Sequence, residues 1–336
     1  MDPVVASWLA RNSSNASELC ASESLPVSIT VVLCLVFLAG FILNTFSIWV
    51  FCCRLSCWTS GTTLQFHLAL SDAVATALIP MMAVHVAMRD DWHFRQFLCQ
   101  AKLTLLNLHF YGSTIFLTLI SVHRYMAVVH FKRNSCMKSK KFVQKLCAGI
   151  WILIIFQSLL IAFILSKQDE NSLECVSFYQ RNLTNRYFSI NFVLFTVGFL
   201  LPLLVSVFCY SRLAISLKHL NISTAKGLRV KEKSRHMIGL CLLIFGLCFL
   251  PMNVVRTIFV VLMKYYPQKC SALQQMETAY YTTWIFAGLN GCLDPLLYCF
   301  GCQSFREAFR SFRIAQRESP KRSDSDMTAS HDNQLR

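Results

Sequence analysis

The chain has 336 residues, of which 55% are hydrophobic and only 15% are charged, and its formal net charge is +15. It is far more apolar than a soluble domain of the same length, which excludes an ordinary soluble protein and predicts a membrane protein. The positive residues lie in short segments beside apolar runs. The charge therefore indicates membrane topology and contact with anionic membrane lipids rather than binding of nucleic acid.

Seven apolar runs separated by polar segments are each long enough to cross roughly 30 Å of hydrocarbon as an α-helix. We therefore predict an all-α membrane protein, a seven-transmembrane helix bundle over residues 28–314 that follows an N-terminal arm, 1–27, and precedes a disordered tail, 315–336. The spans are predicted at about 29–51, 64–88, 97–129, 143–166, 189–217, 237–263 and 278–300.

An odd number of spans places the two termini on opposite sides of the membrane. Of the 32 Lys and Arg residues, 22 fall on the side of the C-terminal tail and eight on the side of the N-terminal arm. The positive-inside rule then predicts a multi-pass plasma-membrane protein with an extracellular N-terminus and a cytoplasmic tail. Glycosylation sequons at Asn12, Asn15 and Asn182 lie on the outer side, whereas the sequon at Asn221 lies inside and should stay unmodified.

Sixteen cysteines occur in the chain, but most lie inside predicted spans, where a thiol behaves as a small apolar group. Only four fall in the outer segments, where the environment oxidises thiols. These four, Cys20, Cys99, Cys175 and Cys270, allow three disulfide pairings.

Polar side chains interrupt the apolar spans. Asn44 lies in the first span and Asp72 in the second, where an ionisable group costs on the order of 3 kcal/mol and so needs a reason to be present. The histidines on span faces, His67, His85 and His109, lack metal-ligand spacing, and we interpret them as structural residues.

Prolines mark the last three spans. Pro202 lies in the fifth span, Pro251 in the sixth and Pro295 in the seventh. A proline removes a backbone hydrogen bond and clashes with the preceding turn, so we expect hinges at Pro251 and Pro295. After the seventh span, phenylalanines and arginines alternate at helical spacing from Phe305 to Arg313, which predicts a short amphipathic helix along the inner leaflet.

One motif occurs in each span, and the order of these motifs resembles that of the rhodopsin-like (class A) G-protein-coupled receptors. The motifs are Asn44, Leu68-Ala69-Leu70-Ser71-Asp72, Cys99 with Arg124-Tyr125, Trp151, Pro202 with Tyr210, Cys248-Phe249-Leu250-Pro251 and Asp294-Pro295-Leu296-Leu297-Tyr298. Within the family, the closest likeness is to the purinergic nucleotide receptors and their neighbouring lipid and carboxylate receptors. His123 stands where the usual motif has Asp, and Asp294 stands where it has Asn.

The resemblance implies a receptor without enzymatic activity that binds a small extracellular ligand and activates a heterotrimeric G protein. It also implies recruitment of arrestin once the serine-rich tail is phosphorylated. The disulfides implied are Cys99–Cys175 and Cys20–Cys270. The residues implied in activation and G-protein coupling are His123, Arg124, Tyr125, Tyr210, Phe249, Pro251, Asp294, Pro295 and Tyr298.

Two cations, Lys102 and Arg256, lie inside spans near their outer ends. An unpaired cation is unfavourable in lipid, so each either binds an anionic ligand group, or snorkels or pairs with a loop acid. Related nucleotide receptors commonly carry a histidine in place of Asn253 and an arginine in place of Trp284. This pocket offers fewer cations and suits a lipid acid at least as well as a nucleotide. The predicted ligand-binding residues are Arg256, Lys102, Leu106, Asn107, Phe110, Tyr111, Asn253, Tyr280, Tyr281 and Trp284.

Five polar residues, Asn44, Asp72, Ser113, Asn290 and Asp294, resemble the family's buried sodium site. Two carboxylates that lie close together cannot both stay ionised without a cation. Either a sodium ion binds, with Asp72 and Asp294 as metal ligands, or one acid is protonated. A purely structural polar network is the alternative, and no other cofactor is predicted.

His123 and Lys231 occupy positions where many relatives carry carboxylates near the motif arginine. We hypothesise a loosely latched inactive state with raised basal signalling, and packing alone is the alternative way to hold that state. The sequence also permits an orphan receptor that acts through basal activity or heteromerisation. A transporter or channel would need paired repeats or an ionisable path through the bundle, and the sequence shows neither.

Overall fold

The computed structural model describes residues 27–55, 57–74, 95–129, 136–166, 181–218, 225–301 and 305–307. Within these ranges the chain is almost entirely helical and contains no strand. The helices are α1 (Val27–Cys53), α2 (Ser60–Val74), α3 (Arg95–Val128), α4 (Lys140–Ser166), α5 (Arg181–Val193, a π-helical segment Leu194–Leu200, and Leu201–Lys218), α6 (Ala225–Leu243, a π-helical segment Ile244–Phe249, and Leu250–Tyr265) and α7 (Cys270–Gly301).

The lengths of the helices fit a membrane. Among the described helices, five, namely α1, α3, α4, α5 and α6, are long and apolar enough to cross a bilayer. The described part of α2 has 15 residues, and the remainder of the predicted second span lies outside the described ranges. α7 has 32 residues, about 48 Å of helix, and carries Asn290 and Asp294 in its interior.

Three helices begin well before their apolar runs. α5 begins at Arg181, α6 at Ala225 and α7 at Cys270, each about two to three turns before the predicted span. The predicted bounds followed hydropathy, but a helix keeps its backbone hydrogen bonds after it leaves the hydrocarbon, where polar side chains are tolerated. The helices therefore extend beyond the membrane core.

The third helix lies at the centre of the bundle. α3 contacts α2, α4, α5 and α6, while α7 packs against α1, α2 and α6. Aromatic side chains such as Phe116 and Tyr298 are fully buried between helices, whereas Ile152 and Phe156 on α4 are 69% and 68% exposed. Large apolar side chains on the outside are unfavourable in water but match a hydrocarbon environment.

Prolines change the helix type in α5 and α6. The Leu201 N–H donates to the Thr196 carbonyl and the Leu250 N–H to the Phe245 carbonyl, five residues back in each case. Pro202 and Pro251 follow directly, and the wider π turn accommodates residues that cannot make the ordinary bond. The prediction located a disturbance at Pro251 but not its form, and Pro295 lies inside an α-helix without such a segment.

Several predictions concern residues outside the described ranges. These are the N-terminal arm with Asn12, Asn15 and Cys20, the outer loop with Cys175, and the tail; the side chains of Cys99, Lys102 and Asn182 are likewise outside the description. Cys270 is disulfide-bonded, and its pairing with Cys20 stays a prediction. Of the predicted amphipathic helix, residues 305–307 are described and are helical.

Candidate functional site

Arg256 is a buried cation in the outer half of α6. Its side chain is 7% exposed, its Nη2 donates to Asn253 Oδ1 at 2.9 Å, and its Nη1 donates to the Tyr111 hydroxyl at 3.3 Å. Its Nε has no hydrogen-bond partner, and no carboxylate in the described part of the chain lies within 4.0 Å of the guanidinium. A buried cation held only by neutral groups favours the approach of an anion.

Aromatic side chains from three helices surround this cation. The phenol groups of Tyr111, Tyr187 and Tyr280 lie within electrostatic range of the Arg256 guanidinium. The Tyr280 ring meets Trp284 edge to face, with ring centroids 5.6 Å apart. These rings provide apolar surface together with hydroxyl groups that can donate hydrogen bonds to an anion.

The remaining predicted pocket residues have different environments. Leu106 and Phe110 are buried in α3, and the Phe110 ring centroid lies 6.4 Å from that of Trp284. The Tyr281 centroid lies 5.4 Å from that of Trp284. The Asn107 amide, in contrast, donates to the Leu103 carbonyl of its own helix at 2.8 Å. Asn107 thus bonds to its own helix rather than holding Arg256.

A second buried polar cluster connects α2, α3 and α7. Ser113 Oγ donates to Asp72 Oδ1 at 2.7 Å, and Asn290 Nδ2 donates to the same oxygen at 3.3 Å. The Asp294 carboxyl lies next to that of Asp72. Asn44 Nδ2 donates to the Gly291 carbonyl at 2.7 Å and so ties α1 to this part of α7. The structure brings all five predicted residues together.

The donor set of this cluster fits a hard cation. Asp72 Oδ2, Asn290 Oδ1 and both Asp294 carboxyl oxygens are buried without a hydrogen-bond partner in the described chain. Buried oxygens without partners are unfavourable, and such hard oxygen ligands suit sodium better than a transition metal. No group of three His, Cys, Asp or Glu residues with metal-binding geometry occurs among the described residues.

His109 also belongs to this cluster. Its Nδ1 lies 3.6 Å from Asp72 Oδ1, and its side chain is almost completely buried. The imidazole therefore occupies space directly beside the carboxylate that a cation would approach. We had interpreted His109 as a structural residue of a helix face, and that interpretation did not include this contact.

The cytoplasmic ends of α2, α3 and α5 meet around the Arg124 motif. Ser60 Oγ and His123 Nε2 share a hydrogen bond of 3.0 Å. Arg124 is half-buried and lies within electrostatic range of Tyr210, whose side chain is fully buried. The ring of Tyr125 meets that of Phe208 at a centroid distance of 6.2 Å. The motif is thus held by neighbours from two other helices.

The two proline motifs pack into the interior. Phe249 closes the π segment of α6 and is 1% exposed. At the end of α7, the fully buried Tyr298 packs against Phe51 of α1 and against Phe305, with centroid distances of 5.4 and 5.7 Å. The structure therefore connects the Asp294–Tyr298 motif to the first helix and to the segment after α7.

Comparison with known families shows which bundle this is. Residues 43–298 match the family described as 7 transmembrane receptor (rhodopsin family). The chain belongs to the rhodopsin family of seven-transmembrane receptors. Membership in the rhodopsin family makes it a multi-pass membrane receptor of the class that couples to G proteins, and it confirms the predicted seven-transmembrane fold.

Rhodopsin-family relatives indicate the branch. The chain is 33% identical to the nucleotide receptor purinoceptor 2 of Homo sapiens over 276 residues, which cover 82% of this chain and 72% of that receptor. It is 30% identical to purinoceptor 4 of Mus musculus over 306 residues, 89% and 81% of the two chains. It is 29% identical to lysophosphatidic acid receptor 6 of Gallus gallus over 290 residues, 85% and 93%. The predicted branch is confirmed.

Three contacts of this rhodopsin-family receptor were not predicted from sequence. Tyr187 was missed because the fifth span was predicted to begin after it, although the polar helix start extends to Arg181. His109 and Ser60 were missed because their partners, Asp72 and His123, come from other helices. Spacing within one helix defines a face but not the residue that the face meets.

Proposed function

We propose that this receptor binds a small anionic ligand from outside the cell and that Arg256 contacts the anionic group. The observation that carries the proposal is the buried guanidinium without a described carboxylate beside it, held by Asn253 and Tyr111. Arg256 Nε remains available as a donor. Guanidinium groups bind carboxylate and phosphate through paired hydrogen bonds, so either group fits this position.

The rest of the ligand contacts aromatic side chains. Phe110, Tyr280 and Trp284 form a connected series of rings beside Arg256. One fixed positive charge beside an apolar wall suits a lipid acid or a nucleotide-like anion with a single strong anchor. The relatives support both classes, since they include a lysophosphatidic acid receptor as well as purinoceptors.

Ligand binding at Arg256 acts on the cytoplasmic end through α6. Arg256 follows the π segment Ile244–Phe249, and Arg124 and Tyr210 lie where α3 and α5 meet at the other end of the bundle. We infer that a change in α6 opens a cleft around Arg124, into which a helix of the G protein inserts. The receptor itself catalyses no bond chemistry, and arrestin binds its phosphorylated tail.

The receptor lies in the plasma membrane with its N-terminus outside and basic loops in contact with anionic lipids inside. The support for this orientation is the distribution of Lys and Arg residues. The oxygens of Asp72, Ser113, Asn290 and Asp294 would hold a sodium ion, and when bound the ion supplies positive charge that allows both carboxylates to stay ionised. Asn44 positions α7 beside it.

The ligand proposal is tested with nucleotides, lysophospholipids, oxidised fatty acids and dicarboxylates, read by G-protein dissociation in cells. For each active anion, we expect Arg256→Ala to lower potency about 10- to 100-fold. A hydrogen bond to a charged group contributes roughly 1.5–3 kcal/mol, and about 1.4 kcal/mol corresponds to tenfold. Unchanged potency of every active anion would refute the proposal.

Lys264 provides the matched control. It lies on the same helix, and its Nζ sits 3.8 Å from the ring centroid of Phe188. Lys264→Ala also removes one positive charge, but not from the buried site, so we expect potency to change less than about threefold, within the weak range of exposed charges. Surface expression of each variant is measured with an antibody to an N-terminal epitope tag.

A further inference from the structure

One face of α1 is exposed along its whole length. Large apolar side chains recur there every three or four residues until the last exposed aromatic, Trp49, and no described residue of the bundle covers them. A helix face of this kind contacts the hydrocarbon chains of the bilayer. The exposed residues of this face are Val31, Leu35, Leu38, Ile42 and Trp49.

Two cysteines continue the same face into the last turn. Cys52 and Cys53 follow Trp49 by three and four residues, both are exposed, and both are free thiols. Their neighbours Val50 and Phe51 are completely buried and face the bundle. The two thiols therefore belong to the lipid-facing side of α1, not to its packed side.

The depth of these thiols follows from the length of the helix. α1 has 27 residues, about 40 Å of helix, whereas the hydrocarbon core is about 30 Å thick. The guanidinium of Arg54 lies over the Trp49 ring, 5.2 Å from its centroid, and Trp and Arg side chains favour the membrane–water boundary. Cys52 and Cys53 thus lie where acyl chains meet headgroups.

We propose that Cys52 and Cys53 are S-acylated with long-chain fatty acids. The cysteine thiol loses its proton, and its sulfur attacks the carbonyl carbon of a fatty acyl-coenzyme A presented by a membrane acyltransferase. A carbon–sulfur bond to the cysteine forms, the bond to the coenzyme A sulfur breaks, and coenzyme A leaves as the thiol. Electrons are neither gained nor lost, and the new chain lies along the apolar face already exposed to lipid.

The attachment would fix one end of an aromatic contact. Phe51 lies in the same turn as the two cysteines but on the packed side, and its ring centroid is 5.3 Å from that of Phe305 and 5.4 Å from that of Tyr298. An acyl chain attached beside Phe51 holds the end of α1 at the leaflet. It thereby stabilises the place where α1, the end of α7 and the following segment meet.

The test uses the full-length receptor expressed in mammalian cells. Free thiols are blocked, thioesters are cleaved with hydroxylamine, and the released thiols are labelled with maleimide-polyethylene glycol to count them on a gel. We expect C52S and C53S each to carry one tag fewer than the wild type, and C52S/C53S to carry two fewer. Incorporation of an alkyne-bearing palmitate provides a second readout and should fall in the same order.

C57S is the matched control, because Cys57 is an equally exposed thiol that lies beyond the end of α1. C57S should carry as many tags as the wild type. The same number of tags in C52S/C53S and wild type, or a loss in C57S alone, would overturn the proposal. Acylation requires the cytoplasmic orientation of this helix end, which the glycosylation assay in the Discussion measures independently.

Discussion

His123 and Ser60 connect two helices at the cytoplasmic side. Their hydrogen bond of 3.0 Å joins residues 63 positions apart, and a Cβ added to the adjacent Gly61 would lie 3.1 Å from the His123 ring. The sequence identified His123 as unusual, because its type departs from the family motif. Its partner could not be predicted, because nothing in the spacing of α3 fixes how α2 lies against it.

We expect Ser60→Ala to raise basal nucleotide exchange on the G protein about two- to tenfold. The hydrogen bond stabilises the arrangement of α2 and α3 seen in the structure, and a typical bond contributes about 1 kcal/mol. His123→Asp should lower basal exchange, because a carboxylate beside Arg124 adds an ionic contact. Binding of a non-hydrolysable GTP analogue in membranes measures both.

Ser211→Ala is the control for this pair, since Ser211 is exposed on the cytoplasmic half of α5. Its basal exchange should equal that of the wild type. Equal basal exchange in wild type, Ser60→Ala and His123→Asp would show that packing alone holds the inactive state.

Asp72 carries the proposal of a sodium site. We expect agonist affinity of the wild type to be lower in sodium chloride than in N-methylglucamine chloride, by a factor in the range of about 5 to 150 that is typical of allosteric coupling. Asp72→Asn removes the charge that holds the ion, so its affinity should be the same in both salts. Radioligand competition in membranes gives both affinities.

Ser158→Ala serves as the control, because Ser158 is a buried serine of α4, remote in sequence from the cluster. It should retain the wild-type response to sodium. If the wild type binds agonist equally well in both salts, the cluster is a structural network and not a cation site.

At the level of the helices, close packing depends on individual glycines. A Cβ at Gly112 would overlap the hydroxyl of Ser71, which donates to the Leu108 and His109 carbonyls at 3.3 Å. Gly112 therefore lets α3 approach α2 beside the Asp72 cluster. Gly149 on α4, in contrast, has no atom within 4 Å of an added Cβ.

We expect Gly112→Ala to destabilise the receptor by about 1–3 kcal/mol, the usual cost of overpacking. Gly149→Ala is the matched control and should be neutral or stabilising by up to about 1 kcal/mol, because alanine favours helix. Thermal unfolding of the purified receptor in detergent measures both. If both variants unfold at the same temperature, the close approach of α2 and α3 is wrong.

The helices themselves were predictable, but not their ends or their irregularities. Long apolar runs identify α1 and α4 nearly to the residue, because lipid demands apolar side chains along their whole length. The polar beginnings of α5 and α6 carry no such signal. The π segments were also missed, since a proline in a sequence shows where the α pattern fails and not which pattern replaces it.

For the whole molecule, the candidate sites combine residues from separate helices. The environment of Arg256 includes Tyr111 from α3, Tyr187 from α5 and Tyr280 from α7. Family resemblance predicted most of these residues because the family preserves the order of helices around the bundle. Residue chemistry alone predicted that Asp72 and Arg256 need partners, and the fold supplies the partners.

The orientation of the bundle gives a prediction for the complete receptor. We expect N12Q/N15Q/N182Q to remove the mass that a glycosidase specific for N-linked glycans releases from the wild type, because these sequons lie on the outer side. N221Q should leave the mass unchanged. Glycan on Asn221, with none on the other three, would place the N-terminus inside the cell.

The π segment of α6 has a consequence for how the two ends of the receptor are coupled. A π turn spans one residue more than an α turn, and one residue of α-helix corresponds to about 100° of rotation and about 1.5 Å of rise. Conversion of Ile244–Phe249 to α geometry would turn Leu250–Tyr265, with Arg256, against Ala225–Leu243 by about that angle. The sixth helix can thus transmit a change of phase along its axis without bending.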